Sequence, residues 1–278
     1  MSRFGAPIAT MLACTTAFGI ESKEKTAAPA DAERTVAIVA TRDPVDKSYR
    51  KMLKGMDLFE QKHAMAPGAA LRFKLLPRER GTNMDGIVLE IVGDTFTTPV
   101  PLAPDRSFTL ERNQKALDED ASVRPNRKAH SMTWRSDIRT PGLPPDTRRL
   151  GDLRLECHVG MEADLVSNLI PVLGQVRKFI DKLVGYCDRI DAHYYFFSER
   201  PLFSVTMVAG SRREILSVDD LYAGASEDPL SESDLYHCDC QVLLDRTYYM
   251  PLGDRSWPDD TLIELEYMED SSENAISR

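Results

Sequence analysis

Four cysteines in the second half of the chain carry its most definite chemistry: Cys157, Cys187, Cys238 and Cys240. In an oxidising compartment, four thiols allow three different pairings. Cys157 ends a predicted strand and Cys187 ends the helix predicted after it, so this helix can carry the chain back over the strand. We therefore predict a Cys157–Cys187 disulfide. In a reducing compartment, the same four residues would instead be small buried hydrophobic side chains.

The other two cysteines belong to the one tight group of metal-ligand residue types, His237-Cys238-Asp239-Cys240. In a strand, residues two apart share a face, so both thiols would point away from the imidazole and the carboxylate. This spacing suits neither one ion bound by all four side chains nor a mutual disulfide, which leaves two half-buried thiols or a cysteine paired elsewhere. A zinc site also needs a second ligand pair at recognisable spacing, and the sequence has none. We predict no metal site and no cofactor.

Catalytic motifs are missing from the sequence. It contains no Gly-x-Ser-x-Gly elbow, no His-Glu-x-x-His helix, no Walker loop and no dinucleotide-binding fingerprint. The histidines are scattered along the chain at His63, His130, His158, His193 and His237. Any catalytic groups would have to converge from distant positions, so the sequence favours a protein without catalytic activity.

Basic residues are concentrated in the middle of the chain. Three acids interrupt them there, Asp137, Asp146 and Asp152, and the basic residues are Arg124, Arg127, Lys128, Arg135, Arg139, Arg148, Arg149 and Arg154. Such a zone can pair internally, orient a charged partner or simply be solvated. We take Arg148 and Arg149 as candidate binding residues and predict that they face solvent. Reversing their charge should then weaken partner binding in a salt-dependent way without lowering the melting temperature.

Residues 214–245 form the opposite zone, an acidic loop without lysine or arginine. Its acids are Glu214, Asp219, Asp220, Glu227, Asp228, Glu232, Asp234, Asp239 and Asp245. The loop lacks the ordered oxygen-ligand spacing of a dedicated calcium site. Solvation is the simplest interpretation, and a partner surface is the alternative.

A continuous aromatic run, Tyr194-Tyr195-Phe196-Phe197, indicates one further surface. Because successive side chains of a strand point to opposite faces, one pair of rings should enter the core and the other should be partly covered. If the outer face is open, Tyr195 and Phe197, or their alternates, would form a binding platform for a protein or a sugar.

Composition limits the class of protein. The 278 residues are 42% hydrophobic and 28% charged, as in one large or two small soluble globular domains. After the N-terminal segment, no apolar run approaches the ~20 residues that span a bilayer. The formal net charge of -9 argues against nucleic-acid binding, which depends on neutralising phosphates.

The first twenty residues predict export. Arg3 is followed by the uncharged, mostly apolar run Phe4–Ala13, which is typical of a signal segment. The small residue Ala13 before Cys14 resembles the lipobox of bacterial lipoproteins, and this resemblance implies that Cys14 is lipidated and becomes the N-terminus. Ordinary cleavage after Gly19 and an unprocessed disordered N-terminus are the alternatives. Residues 21–34 then form an Ala-, Lys-, Glu- and Pro-rich linker.

The rest of the chain divides into 35–160 and 161–270, with a disordered tail at 271–278. A short strand at 36–40 precedes a helix that Asp46 caps and whose apolar residues recur on one face. Alternating segments predict strands near 71–75, 87–91, 100–102, 108–110, 121–124, 132–135 and 153–159. A helix follows at 162–186, and then strands at 194–197, 203–208, 240–244, 247–250 and 262–267. The predicted fold class is α+β: an antiparallel β-sandwich with two flanking helices and a second β-rich part.

One segment carries a resemblance to a known fold. Residues 100–110 (Val-Pro-Leu, then Asp-Arg-Ser-Phe-Thr-Leu after a turn) resemble the turn of transthyretin-like, carboxypeptidase-regulatory sandwiches. A longer pattern is similar to uncharacterised proteobacterial envelope proteins; it comprises Asn126-Arg127-Lys128, Trp134, Asp137-Ile138-Arg139, Pro141-Gly142 and residues 149–157. The resemblance covers about half the chain and implies a sandwich and an envelope location, but no catalytic residues.

These observations predict a non-catalytic binding or scaffolding protein of the bacterial envelope, periplasmic or lipid-anchored. Its partner would be an envelope protein or a glycan, with membrane contact through the lipid anchor and no nucleic acid. The alternative is a periplasmic hydrolase with a site near the acidic loop 214–245.

Overall fold

The computed structural model describes residues 45–165, 185–222 and 243–268. Several predictions fall outside these ranges: the export signal with Cys14, the linker, the strand at 36–40, most of the helix at 162–186, the Cys238 and Cys240 pair and the C-terminal tail. Of the acidic loop, residues 223–242 lie outside.

The described residues form an α+β fold in which every strand pairing is antiparallel. The helices are α1 (Tyr49–Lys62), α2 (Gln114–Asp118) and α3 (Leu150–Glu162). The strands are β1 (Lys47–Ser48), β2 (Ala70–Pro77), β3 (Leu89–Val92), β4 (Thr97–Val100), β5 (Ser107–Phe108), β6 (Ser122–Pro125), β7 (Met132–Arg139), β8 (Thr147–Arg149), β9 (Phe196–Phe197), β10 (Leu202–Ala209), β11 (Arg212–Ile215), β12 (Thr247–Tyr248) and β13 (Leu262–Tyr267). None of the helices within the described ranges combines the length and apolarity needed to cross a membrane.

The strands form four small sheets around two hydrophobic cores. The sheets β1-β6-β3-β4 and β5-β2-β7 contribute to the first core, together with α1. The sheets β11-β10-β13-β8 and β12-β9 contribute to the second core.

The N-cap of helix α1 lies two residues after its predicted position. The Ser48 hydroxyl, not Asp46, accepts a hydrogen bond from the Lys51 amide at 3.4 Å. Tyr49 and Met52 are fully buried on the face that the apolar period indicated. The Tyr49 hydroxyl also accepts from the Asn113 amide at 2.7 Å, which ties α1 to the start of α2.

Helix α3 replaces the strand predicted at 153–159, and that prediction is wrong. Its residues alternate apolar and polar, which is the period of a half-buried strand. The structure instead buries the helix almost completely, from Leu150 to Gly160. Leu155 and Val159 enter the first core, whereas Leu153 and Cys157 enter the second, so α3 lies between the two. The predicted boundary at 160/161 falls inside this helix.

The polar residues of α3 are buried because each finds a partner. Asp152 accepts from the Thr140 amide at 2.8 Å and from its hydroxyl at 2.7 Å. Arg154 donates to the Leu252 carbonyl at 2.8 Å and to the Asp259 carboxylate at 2.6 Å. Buried polar groups that are paired in this way avoid the cost of losing water.

A close helix crossing holds α3 against α1. A Cβ atom at Gly55 of α1 would lie 2.8 Å from the Cβ of Ala163, inside van der Waals contact. Glycine at this position therefore lets the two helices approach each other.

The predicted disulfide between Cys157 and Cys187 is confirmed, with the two Cα atoms 5.9 Å apart. The location of Cys157 differs from the prediction, because this residue lies in the buried helix α3 and not in a strand. Cys187 lies in the short 3₁₀ turn Tyr186–Asp188. The bridge thus fastens this turn to the central helix.

Replacing both cysteines by alanine should lower the free energy of unfolding. The bridge closes a loop with a sequence separation of 30 residues, for which the chain-entropy model gives about 3 to 4 kcal/mol. Urea denaturation of the wild type and of the Cys157→Ala/Cys187→Ala variant measures the difference.

A reducing agent provides the control. It should bring the wild type to the stability of the variant and leave the variant unchanged. A wild type whose unfolding midpoint does not respond to reductant would contradict the prediction.

Candidate ligand-binding pocket

A small pocket opens where β2, β7 and β8 meet α3 and the aromatic run at 194–197. Its volume is about 40 Å³, which is room for roughly three water molecules or one small ligand group. Side chains of both signs line it, together with the aromatic rings.

The residues of the aromatic run alternate between buried and partly covered, as the strand period predicted, and all four line the pocket. Tyr194 and Phe196 are buried and belong to the second core. Tyr195 and Phe197 are only partly covered and line the pocket. Phe197 belongs to β9, while Tyr195 packs against Tyr249 with a ring-centroid distance of 4.8 Å. The two predicted platform residues are therefore available at the pocket.

Arg135 is the most unusual residue of the pocket. It lies on β7 with 7% of its surface exposed, and none of its three guanidinium nitrogens has a hydrogen-bond partner among the described residues. Its guanidinium carbon lies 5.2 Å from the centroid of the Phe197 ring and 5.8 Å from that of Tyr194. Cation–π contact gives partial compensation, but five N–H donors remain unused.

Burial lowers the pKa of Arg135, and the neighbouring Tyr194 hydroxyl and the Glu156 carboxylate oppose this shift. The Tyr194 hydroxyl is itself buried without a hydrogen-bond partner among the described residues, and burial raises its pKa. Tyr194 lies tightly against α3, since a Cβ at Gly160 would be 2.2 Å from its hydroxyl oxygen. The guanidinium of Arg135, Nε of Arg148 and the Tyr194 hydroxyl are thus three pocket groups without a hydrogen-bond partner among the described residues. Each would cost about 1 to 3 kcal/mol if it stayed without a partner.

The other cations of the pocket are neutralised one by one. Each forms an ion pair with an acid that also lines the pocket: Lys74 with Glu199 at 2.7 Å, Arg139 with Asp137 at 2.7 Å, and Arg148 with Glu156 at 2.6 Å. Four cations thus face three carboxylates, and Arg135 is the one left over. In the strand register, Arg135 lies directly opposite Lys74 on β2. Like charges at directly opposite positions repel each other, which further destabilises the charged guanidinium.

Arg148 is a correction to the sequence-based prediction, which placed it in solvent. Its side chain faces inward from β8 with 5% of the residue exposed, and Glu156 is 6% exposed. Glu156 Oε1 also accepts from the Ile138 amide at 2.8 Å. Although burial disfavours the charged guanidinium, the Glu156 carboxylate holds the pKa of Arg148 above its usual value. Arg149 points the other way, is half-buried and does not line the pocket.

The two serines that line the pocket are engaged elsewhere. Ser136 donates to the main-chain carbonyl of Glu156 at 2.9 Å. Ser198 donates to the carbonyls of Arg200 and Arg246. Neither hydroxyl is hydrogen-bonded to a side-chain base, so this geometry lacks an activated nucleophile.

Three of the described acids of the acidic loop have a partner, and a fourth, Asp219, is exposed. Glu214 pairs with Arg212 at 3.3 Å, and Asp220 accepts from the Ser217 hydroxyl at 2.8 Å. Asp245 pairs with Arg80. Within the described ranges, no group of three or more His, Cys, Asp or Glu side chains is arranged to hold a metal ion.

Sequence reasoning counted Arg135 in the basic zone but did not single it out. One signal was present: Arg135 directly follows Met132-Thr133-Trp134 in a segment predicted as a strand. An arginine within such a segment needs a partner when the strand is covered on both faces. Lys74 and Glu199 gave no signal, because neither lies near the others in the chain.

No protein-family model, curated protein or solved structure matches the chain.

Replacing Arg148 by methionine should destabilise the protein strongly. This change removes the ion-pair partner of the buried Glu156, and breaking a buried ion pair in this way costs about 3 to 5 kcal/mol. Arg149→Met is the matched control, with an expected change of about 0.5 kcal/mol, because this side chain has no ion pair among the described residues. Chemical denaturation of both variants measures the two changes in the free energy of unfolding. Equal changes would contradict the prediction, because the Arg148–Glu156 ion pair would then contribute nothing beyond an ordinary surface side chain.

Proposed function

We propose that this protein is a non-catalytic binding protein of the bacterial envelope that recognises an acidic glycan through the pocket around Arg135. One observation carries the proposal: a buried cation that has no hydrogen-bond partner in the described part of the chain lines a pocket beside two partly exposed aromatic rings. In a binding protein, the ligand would supply the hydrogen-bond acceptors that such a residue lacks.

The aromatic rings favour a sugar over an extended peptide. Tyr195 and Phe197 offer apolar ring faces, on which the apolar face of a sugar ring can pack. The pocket admits only one small group, so the remainder of the ligand must lie outside across these rings. A protein partner, which the sequence left open, is therefore the second choice.

The engaged serines weigh against hydrolysis at this pocket. A hydrolase near the acidic loop remains the rival function, and residues 223–242 of that loop lie outside the described ranges. It would be identified by turnover of an ester or glycoside substrate.

The envelope location rests on two supports. Residues 1–20 have the pattern of an export signal with a lipobox at Cys14. The Cys157–Cys187 disulfide fits an oxidising compartment, where such bonds persist.

We also propose a transthyretin-like sandwich for the first part of the fold. In its support, the two sheets β1-β6-β3-β4 and β5-β2-β7 contribute side chains to one common core. Similarity to a proteobacterial envelope family is a further part of this proposal and rests on the pattern between residues 126 and 157.

Substitution of the partly exposed rings should weaken glycan recognition. Tyr195→Ala and Phe197→Ala should each lower the affinity about two- to tenfold, since an aromatic packing contact contributes about 0.5 to 1.5 kcal/mol. The measurement is a glycan array with acidic and neutral glycans, followed by titration with the best acidic ligand.

Phe203→Ala is the matched control, because Phe203 is an exposed aromatic residue (63%) that does not line the pocket. It should leave the affinity unchanged. Absence of any preference for acidic glycans, or equal losses in all three variants, would refute the proposed function.

Lipid attachment predicts a simple labelling result. Growth with a palmitate analogue should label the wild type and the Cys238→Ser control, but not Cys14→Ser. Equal labelling of all three proteins would remove the anchor from the proposal.

A further inference from the structure

We propose that the group bound beside Arg135 is a carboxylate, held as a single negative charge by the Arg135 guanidinium and the Tyr194 hydroxyl. This inference rests on the proposed function for its biological setting, but its chemical basis is independent of any glycan. It follows from the unused donors, the charge and the size of the pocket.

The unused groups of the pocket call for an acceptor. A guanidinium donates only, so all five N–H groups of Arg135 require acceptor atoms. The Tyr194 hydroxyl and Nε of Arg148 are also buried without partners among the described residues. Water could meet part of this demand, but it would leave the positive charge of Arg135 uncompensated.

Charge balance selects a monoanion. With three of the four cations paired to carboxylates, the pocket carries one excess positive charge. One carboxylate restores neutrality. A phosphate monoester, with a charge of about −1.5 to −2 at pH 7, would exceed it.

Geometry and volume select the same group. The planar guanidinium matches the two oxygens of a carboxylate in a bidentate contact. The pocket volume of about 40 Å³ leaves room for a group of a few atoms. The rest of the ligand would then lie against Tyr195 and Phe197, which are the partly uncovered rings of the pocket.

Calorimetric titration of the disulfide-bonded protein tests this inference. The probes are D-glucuronate as a sugar acid, N-acetylalanine as a peptide-type carboxylate, glucose as the neutral sugar and inorganic phosphate. We expect saturable one-to-one binding of glucuronate, which weakens as salt is added. Glucose should not bind, and phosphate should bind at least tenfold more weakly.

Variants assign the contact to Arg135. Arg135→Met should reduce the glucuronate affinity at least tenfold. Arg135→Lys should reduce it less, because it keeps the charge and loses the planar fork. The matched control is Arg212→Met, which removes another arginine in cation–π contact, 3.5 Å from the centroid of the Trp257 ring and outside the pocket. It should leave the affinity unchanged.

Melting temperatures show whether the variants fold and give a second readout. Arg135→Met removes a buried charge that lacks a hydrogen-bond partner, so the ligand-free variant should melt no lower than the wild type. Glucuronate should then raise the melting temperature of the wild type and not that of Arg135→Met.

Three outcomes would overturn the inference: no saturable carboxylate binding, equal binding by the wild type and Arg135→Met, or phosphate binding as tight as carboxylate binding. Binding of N-acetylalanine without glucuronate would support the carboxylate and refute the glycan. Conversely, selective binding of neutral glycans on the array with no carboxylate binding would refute both.

Discussion

The buried polar side of helix α3 is the constraint on which the rest of the structure depends. A helix covered on every side gains from its apolar residues, but it also removes four polar side chains from water. Each of the four, Asp152, Arg154, Glu156 and His158, has a charged or hydrogen-bonding neighbour in the structure. Without these partners, each of the four buried polar groups would destabilise the fold.

These partners come from widely separated parts of the chain, and they connect the two cores. Glu156 binds β8 through Arg148 and β7 through the Ile138 amide. Arg154 binds the segment before β13, and the disulfide fastens the turn at Cys187. Helix α3 therefore connects the two cores. We expect that disrupting one of its ion pairs would destabilise the packing of both.

The pocket follows from the same arrangement. Alternate residues of β7 face opposite ways, so Trp134 and Ile138 enter the first core while Arg135 and Asp137 face the charged side. All but one of the lining cations acquire an acid from a neighbouring element. The remaining cation, Arg135, lies at the pocket, beside aromatic rings that are only partly covered. The candidate binding pocket thus lies where the compensation of buried charge is incomplete.

Much of the fold was readable from the sequence alone. The apolar period placed α1, and alternation placed strands such as β2, β7, β10 and β13. The Cys157–Cys187 pairing was also predicted, although the prediction used a strand at 153–159 that is the helix α3 in the structure. The aromatic run also indicated that alternate rings would be buried and partly covered, but not which pair would be which. These features are local, because the side-chain periods of a helix and a strand are set by the backbone itself.

Only the tertiary structure decided whether residues 150–162 form a helix or a strand, and whether each arginine is buried and paired. The alternation of this segment fits a strand, and it becomes a helix because distant groups satisfy its polar residues from all sides. Arg148 and Arg149 are adjacent in sequence, yet one is buried in an ion pair and the other is half-buried outside the pocket. The surroundings that make Arg135 a candidate binding residue are Lys74, Glu199 and the rings at 194–197, all of which lie far from it in the sequence. Sequence determines which residues can be charged or apolar, but whether a charge is compensated depends on neighbours that only folding brings within a few ångströms.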